Sequence, residues 1–223
     1  SRGFDDDPAE LRTFKDRYAH RKDPLYNPNF SLESGCFEIQ PLPTTPEPRK
    51  PVQALAISHN LNLEGAPLSM FEMLSGLKER GVIEPTVLAL EEGPLQSHYE
   101  SEGITVKILR FPGEFVSVSE YEALLQDWAK KANLTAYETV YANTLDTFFA
   151  MDAARLHDIP SIWNIRESLS PSRLLTHLLP SIRKRAYDCF QWPYRVVFVA
   201  RSTKHAYGPL ESRDNFVVIP NAL

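Results

Sequence analysis

The stretch Val52–Gly81, VQALAISHNLNLEGAPLSMFEMLSGLKERG, contains the pattern that decides the fold. Its opening apolar run, residues 52–57, predicts a buried strand. The polar turn HNLNLEGA follows, and the residues after it predict an amphipathic helix that ends at Gly81. Pro67 suits the first turn of this helix, because the N–H that proline lacks is not needed there. The predicted apolar face of the helix carries Leu68, Phe71, Leu74 and Leu77.

A strand, a polar turn and a helix form the first half of a βαβ unit, and the same alternation continues to the end of the chain. Further strands are predicted at residues 84–90, 104–109, 139–142, 160–165, 195–200 and 216–219. Helices are predicted at residues 94–102, 119–133, 145–157, 172–190 and 202–207, with Ser119 as the N-cap of the second and Pro180 as a candidate break in the fourth. Apolar strands separated by helices indicate a parallel sheet covered on both faces. We therefore predict an α/β, doubly wound, Rossmann-like parallel sheet over residues 52–223.

Residues 1–51 differ in composition from this domain. They hold eight of the 18 prolines and no alternating strand pattern. A helix is predicted at residues 8–21, followed by an extended, Pro-rich linker. We interpret this segment as a tail next to the domain rather than as a binding element.

Bulk composition excludes several classes of function. A net charge of −5 and a pI near 5.7 argue against nucleic-acid binding, which requires a basic surface. The two cysteines, Cys36 and Cys189, have neither the number for a disulfide framework nor the spacing of a metal site, so we expect buried thiols and no bound metal. No apolar run reaches the roughly 20 residues of a membrane span, and the first residues are no signal peptide. These features predict a cytoplasmic protein.

Polar side chains follow the predicted strands at the carboxyl edge of the sheet, where open α/β folds bind ligands. Arg166 is suited to a phosphate or carboxylate, and Glu167 to orienting Arg166 or accepting a sugar hydroxyl. His59 is a candidate general base or hydroxyl ligand. The simpler alternatives are a solvated Arg166–Glu167 ion pair, a structural or exposed histidine and, at Gly65, a tight turn. The candidate binding residues in these turns are Asn60, Asn62, Asn143, Thr144, Ser168, Arg201 and Ser202.

Several motifs are missing, and one charged cluster is left over. GxGxxG and GxxxxGK[ST] are absent, which disfavours a dinucleotide site and a P-loop. No GxSxG elbow supports a nucleophilic hydrolase. The basic run at residues 183–185 is interpreted as a solvated helix face, with contact to an anionic lipid-linked substrate or a membrane surface as the alternative.

The order and spacing of the segments resemble the N-terminal domain of a family 4 retaining glycosyltransferase of the GT-B fold. The segments are SHNLNLEGAPLSMFEMLSGLKERG, EEGPLQSHYESEGITVKIL, PSIWNIRES and VVFVARSTKHAYGPLESRDNFVVIPNAL. The closing IPNAL resembles the segment that leads into the donor-side domain. Separately, DPLYNPNFSLESGCFEI resembles the tail of a GT-A glycosyltransferase domain in multidomain bacterial polysaccharide enzymes. With no initiator Met and an end directly after an apolar run, we expect a piece of a longer protein.

The resemblance implies a function and a set of roles. A nucleotide-sugar would serve as substrate, held mainly by a C-terminal donor-binding domain of the same enzyme, with no cofactor and no metal. The present domain would bind a glycan or lipid-linked acceptor, with peripheral membrane association. The loop that approaches the donor phosphates falls on Glu64, Gly65 and Ala66, where many relatives carry two adjacent glycines. Many relatives also have a His–acid pair after the fifth strand; Glu167 matches the acid, whereas Arg166 replaces the histidine.

Sequence alone therefore leaves three functions open. The first is the acceptor-side domain of a retaining glycosyltransferase, inactive as a fragment, with Glu167, Arg166 and His59 as candidate catalytic residues. The second is a non-catalytic scaffold domain within a multidomain glycosyltransferase. The third, a sugar-nucleotide oxidoreductase or epimerase, is disfavoured by the missing GxGxxG.

Overall fold

The computed structural model describes residues 8–18 and 50–221. The chain divides into two units, Ser1–Pro48 and Arg49–Leu223. In the first unit the structure describes the helix α1, Pro8–Tyr18, which lies within the helix predicted at residues 8–21. The predicted extended linker and the GT-A-like stretch lie outside the described residues.

The second unit is built on seven parallel strands. Their order across the sheet is β3-β2-β1-β4-β5-β6-β7, and each neighbouring pair is parallel. Their bounds are β1 Val52–Ser58, β2 Ile83–Ala89, β3 Thr105–Ile108, β4 Thr139–Asn143, β5 Ser161–Ile165, β6 Arg195–Phe198 and β7 Phe216–Val218. The predicted doubly wound, Rossmann-like α/β fold is confirmed. Chain order reverses between β1 and β4, which makes their carboxyl ends the topological switch point.

The connections between strands contain the helices. They are α2 Gly65–Glu79, α3 Leu95–Ser101, α4 Val118–Lys131, α5 Phe148–Leu156, α6 Pro171–Leu174, α7 Pro180–Asp188 and α8 Arg201–Tyr207. One predicted N-cap was wrong, and one predicted helix is broken at a proline. The N-cap of α4 is Ser117, whose hydroxyl accepts from the Glu120 amide, and not Ser119. The helix predicted at residues 172–190 is two helices, and the second starts at Pro180, the proline that the sequence indicated as a candidate break; the first also starts at a proline, Pro171.

The larger core lies on one face of the sheet, beneath α4, α5, α7 and α8. Leu55 and Ile57 of β1 and Trp163 of β5 point to this side and are fully buried. Tyr121 of α4 joins them and also donates to Asp152 of α5, a carboxylate that is only 1% exposed. This face is therefore sealed by packing and by a buried polar contact.

The opposite face is covered only in part. Around β1 and β2 it holds a smaller core in which Met70 and Leu74 of α2 are buried. Farther along the sheet, Ile162 and Val197 line an open groove of about 730 Å³. In the part of the chain that the structure describes, the only helix that lines this groove is α2. The groove explains why the predicted apolar face of α2 was partly wrong: Leu68 is 38% exposed and lines the groove instead of packing in the core.

Two further features concern cysteine and membrane segments. Cys189 is buried in the larger core, as predicted, and burial raises the pKa of its thiol well above the ordinary value, whereas Cys36 lies outside the described residues. No helix within residues 8–18 and 50–221 is both long and apolar enough to cross a bilayer.

Candidate functional site

The candidate site lies at the switch point, where the carboxyl ends of three strands meet. His59 directly follows β1, Asn143 is the last residue of β4, and Arg166 and Glu167 directly follow β5. Because neighbouring parallel strands end at the same edge of a sheet, the sequence predicted that these residues come together. The hydrogen bonds between their loops show that they do.

The first loop, residues 59–64, is shaped by its own short polar contacts. The Ser58 hydroxyl donates to the carbonyl of Asn60 over 2.7 Å, and the Asn60 side chain accepts from the amide of Asn62 over 3.0 Å. Leu61, fully buried, anchors the loop and accepts from the Leu95 amide at the start of α3. Asn60 and Asn62 therefore shape the loop before any ligand is present.

Gly93 allows the backbone of Leu61 to lie directly against the turn that precedes α3. A Cβ at Gly93 would lie 2.4 Å from the backbone carbon and oxygen of Leu61, nearer than any side chain tolerates. Gly93 was not among the residues singled out from the sequence. In the sequence, Gly93 is only a glycine in the EEGP turn between β2 and α3. Its importance becomes visible only in the structure, where the first loop lies against this turn.

Gly65 has a different environment. Its φ is not in the left-handed region, and, apart from its chain neighbours and the backbone of its own helix, no described atom lies within 4 Å of where a Cβ would stand. Gly65 therefore does not use the left-handed conformation that favours glycine. Gly65 begins α2, and no side chain caps that first turn, because the neighbouring Glu64 side chain contacts Asn62 instead. The helix N-terminus is thus open on the side where Gly65 lies.

The end of β4 and the residue after it contact the start of α2 and the first loop. The Asn143 amide donates to the carbonyl of Ala66 over 2.9 Å, and Nδ1 of His59 lies 3.3 Å from the hydroxyl of Thr144. Burial lowers the pKa of His59 below its ordinary value, although Asp146 and other nearby carboxylates oppose the shift. At neutral pH this favours an uncharged imidazole, the form that accepts a proton or binds a hydroxyl.

Glu167 joins β4 to β5. One carboxylate oxygen accepts from the Leu145 amide over 2.6 Å, and the other accepts from the Arg166 amide over 3.0 Å. Burial raises the pKa of Glu167, and the backbone donors partly counteract the shift. Since both oxygens are engaged, this carboxylate is placed to hold the loop after β4.

The Arg166 side chain points away from Glu167. It donates to the Ser69 hydroxyl of α2 over 2.6 Å and to the Asn221 side chain beyond β7 over 2.5 Å. The alternative of a solvated Arg166–Glu167 ion pair is therefore wrong. The guanidinium connects segments that are 97 and 55 residues away in the chain. Its Nε is buried and has no hydrogen-bond partner among the described residues.

Other predicted residues remain outside this set of contacts. Ser168, Arg201 and Ser202 are exposed, and within the described ranges they form no hydrogen bond with the loops after β1, β4 or β5. Two polar residues were missed: the Asn164 amide donates to the Tyr141 hydroxyl over 2.6 Å beneath Arg166. Asn164 is a polar residue within the otherwise apolar strand SIWNI, and this feature could have identified it as a candidate from the sequence.

The basic run at residues 183–185 is not the solvated face that was predicted. Arg183 donates to two backbone carbonyls, and Lys184 is paired with Asp188. Arg185 donates to the buried carboxylate of Asp152. Two of the three cations thus hold α7 in place, and only Lys184 is largely exposed, at 76% of its side chain.

The side chains that could ligate a metal ion are dispersed. Within residues 8–18 and 50–221, no group of three or more His, Cys, Asp or Glu side chains is arranged to hold a metal ion. The polar chemistry of the site comes from an imidazole, hydroxyls, amides, carboxylates and one guanidinium.

No known protein-family model and no curated protein matches the sequence. Solved structures do match the fold. HepE of Anabaena, in a complex with UDP and glucose, is similar with a TM-score of 0.58 and 18% identity over 77% of this chain and 45% of its own. A glycosyltransferase of Rickettsia africae matches with a TM-score of 0.55 and 14% identity over 78% of this chain and 44% of its own.

A third similar structure is that of a protein with a different named activity. A putative UDP-N-acetylglucosamine 2-epimerase from Listeria monocytogenes matches with a TM-score of 0.50 and 12% identity, over 74% of this chain and 44% of its own. The chain spans less than half the length of each of these proteins. At these identities the similarity concerns the fold alone. The chain thus has the Rossmann-like fold that forms one half of GT-B glycosyltransferases.

Proposed function

We propose that this chain is the acceptor-side domain of a retaining glycosyltransferase that moves a sugar from a nucleotide-sugar to a growing glycan. The observation that carries the proposal is the joined site at the switch point. Loops after β1, β4 and β5 bring together an imidazole, a hydroxyl and an amide. These are groups suited to binding the hydroxyls of a sugar.

The donor would be bound across a cleft by a second domain of the same enzyme. The first turn of α2, next to Gly65, is uncapped and open, and helix N-termini attract phosphate. Glu64 and Glu91 stand near His59 and add negative charge to this loop. We therefore assign the positive charge that stabilises the leaving diphosphate mainly to the second domain.

Gly65 provides the test of this arrangement. In the protein that includes the second domain, Gly65→Leu is expected to lower sugar transfer by about a hundredfold, because the side chain fills the space that the donor phosphates would occupy. The fold is expected to stay intact, since a Cβ there meets no described atom. The measurement is the release of UDP from UDP-glucose and from other nucleotide-sugars, with circular dichroism as the check on folding.

Gly76→Ala, farther along the same helix, is the matched control and should transfer sugar normally. Full activity in Gly65→Leu would overturn the donor-side role of this loop. Residues 1–223 alone are expected to release no UDP, because the donor domain is needed. Turnover by this fragment would disprove the two-domain assignment, and no turnover by the longer protein would favour the non-catalytic scaffold.

A sugar-nucleotide epimerase is the second candidate, because the epimerase-like protein of Listeria shares the fold. The two activities differ in their products. Transfer requires an acceptor and releases UDP, whereas epimerisation gives an isomeric nucleotide-sugar without an acceptor. Analysis of the products of UDP-N-acetylglucosamine by NMR separates them.

The proposal also covers location and partners. We propose a cytoplasmic enzyme of polysaccharide synthesis with a glycan or lipid-linked acceptor, the nucleotide-sugar being a substrate with no further cofactor. Peripheral membrane association would have to use surfaces other than Arg183 and Arg185, which are engaged within the domain. Flotation with anionic vesicles would test this association.

A further inference from the structure

Thr144, directly after β4, has a backbone conformation that a threonine rarely adopts. Its φ is 78° and its ψ is 160°, in a region that is almost exclusive to glycine. Such a conformation is unfavourable for a β-branched residue, and it persists only where the surroundings impose it. Thr144 is also only 5% exposed, so solvent contact does not explain it.

Four hydrogen bonds impose this conformation. The Thr144 amide donates to the carbonyl of Asn164 over 2.8 Å. Its carbonyl accepts from the indole N–H of Trp163 and from the hydroxyl of Thr147, both over 2.8 Å. The next amide in the chain, that of Leu145, donates to Glu167 over 2.6 Å. The peptide groups on both sides of Thr144 are therefore fixed by β5, by Glu167 and by Thr147 in the same turn.

The strained residue is the one that contacts His59. With both flanking peptides fixed, the Thr144 hydroxyl is held 3.3 Å from Nδ1 of His59. The other ring nitrogen, Nε2, has no hydrogen-bond partner in the described part of the chain. Strain of this kind is concentrated at functional sites, where it keeps a group in place before a substrate arrives.

We infer that Thr144 is a positioning residue, whose strained backbone holds its hydroxyl on Nδ1 of His59 and so leaves Nε2 as the nitrogen that meets an acceptor hydroxyl. Glu167 supports the same arrangement through the Leu145 amide. The inference rests on the proposed function only in naming the acceptor hydroxyl. The contact itself is a property of this domain.

The contact can be tested without activity. In residues 1–223 labelled with ¹⁵N at histidine, Thr144→Val keeps the shape of the side chain and removes the hydroxyl. We expect the Nδ1 chemical shift of His59 to change in Thr144→Val and to return to the wild-type position in Thr144→Ser. Thr86→Val, at a half-buried threonine of β2, is the matched control and should leave the His59 signals unchanged. An unchanged Nδ1 shift in Thr144→Val would overturn the inference.

The strain is tested with Thr144→Gly, because glycine adopts this conformation without cost. The midpoint of urea unfolding should be equal to or above that of the wild type, although side-chain atoms are lost from a buried site. A clearly lower midpoint would show that the backbone is not strained and would remove the reason for the inference.

The role in the reaction is tested in the protein with its donor domain. Thr144→Val is expected to lower kcat for sugar transfer about tenfold or more, with the KM for the nucleotide-sugar unchanged and with rescue by Thr144→Ser. Normal kcat in Thr144→Val would refute the positioning role while leaving the proposed function standing. If the wild-type enzyme transfers no sugar, the proposed function is wrong, and so is the assignment of an acceptor hydroxyl to Nε2 of His59. The ¹⁵N chemical shift of Nδ1 still decides whether Thr144 positions the imidazole.

Discussion

At the scale of single residues, the site differs from its sequence-based picture in what each side chain contacts. Arg166 and Glu167 are adjacent in the sequence, and this predicted either an ion pair between them or joint binding of a substrate. In the fold they separate, since Glu167 accepts backbone amides and Arg166 reaches Ser69 and Asn221. Patterns of residue type predict which edge of a sheet a side chain occupies. They carry no information on backbone N–H directions, which decide what a carboxylate accepts.

His59 gives a pH-dependent prediction at this scale. Its folded-state pKa lies below its ordinary value of 6.5, so the unfolded chain binds the proton more readily. The free energy of unfolding should therefore fall as the pH drops through 6.5 towards the lowered value. The His59→Gln variant should lack the part of this decrease that comes from the imidazole. Urea unfolding of both proteins between about pH 5 and about pH 7.5 measures the difference.

The matched control is His205→Gln, which replaces an exposed histidine of α8. It should follow the wild type across this pH range. A difference in which the wild type loses stability relative to His59→Gln as the pH rises would contradict the burial of the imidazole.

At the scale of elements, the seven strands were predictable to within about two residues, because buried parallel strands are continuous apolar runs. Helix faces were less predictable. The wheel of α2 gave one apolar face, whereas the fold uses two: Met70 and Leu74 pack on the sheet, and Leu68 and Leu77 line the groove. Periodicity measures apolar surface and does not tell whether a neighbour covers it.

The contact between the first loop and α3 gives a prediction at this scale. Gly93→Ala should lower the free energy of unfolding by about 2 kcal/mol, because its Cβ would collide with the backbone of Leu61. Gly76→Ala, inside α2, has open space and should raise that energy by about 0.5–1 kcal/mol. Chemical denaturation of both variants is the measurement. If Gly93→Ala were as stable as the wild type, the close approach of Leu61 would be refuted.

At the scale of the whole molecule, the sheet has one switch point, and the predicted polar loops gather there. Three of them, after β1, β4 and β5, are joined by hydrogen bonds, and Arg166 adds the end of β7. Arg201 and Ser202, which begin α8 after β6, are exposed and form no hydrogen bond with these three loops within the described residues. The switch point could be predicted from the strand pattern. Which loops reach across it could not, because that depends on single side-chain lengths and on the tight turn at Thr144.

The half-covered sheet also has an energetic consequence for two adjacent valines of β6. Val196 is fully buried in the larger core, whereas Val197 lines the groove and is half-buried. Val196→Thr should lower the free energy of unfolding by about 1–3 kcal/mol, since its hydroxyl would lie in an apolar core. Val197→Thr should cost less than about 1 kcal/mol, because water reaches its hydroxyl. If urea denaturation gave the same decrease in the free energy of unfolding for both variants, both faces of β6 would be equally shielded from water. A much larger decrease for Val196→Thr would mean that this one strand separates a dry core from solvent.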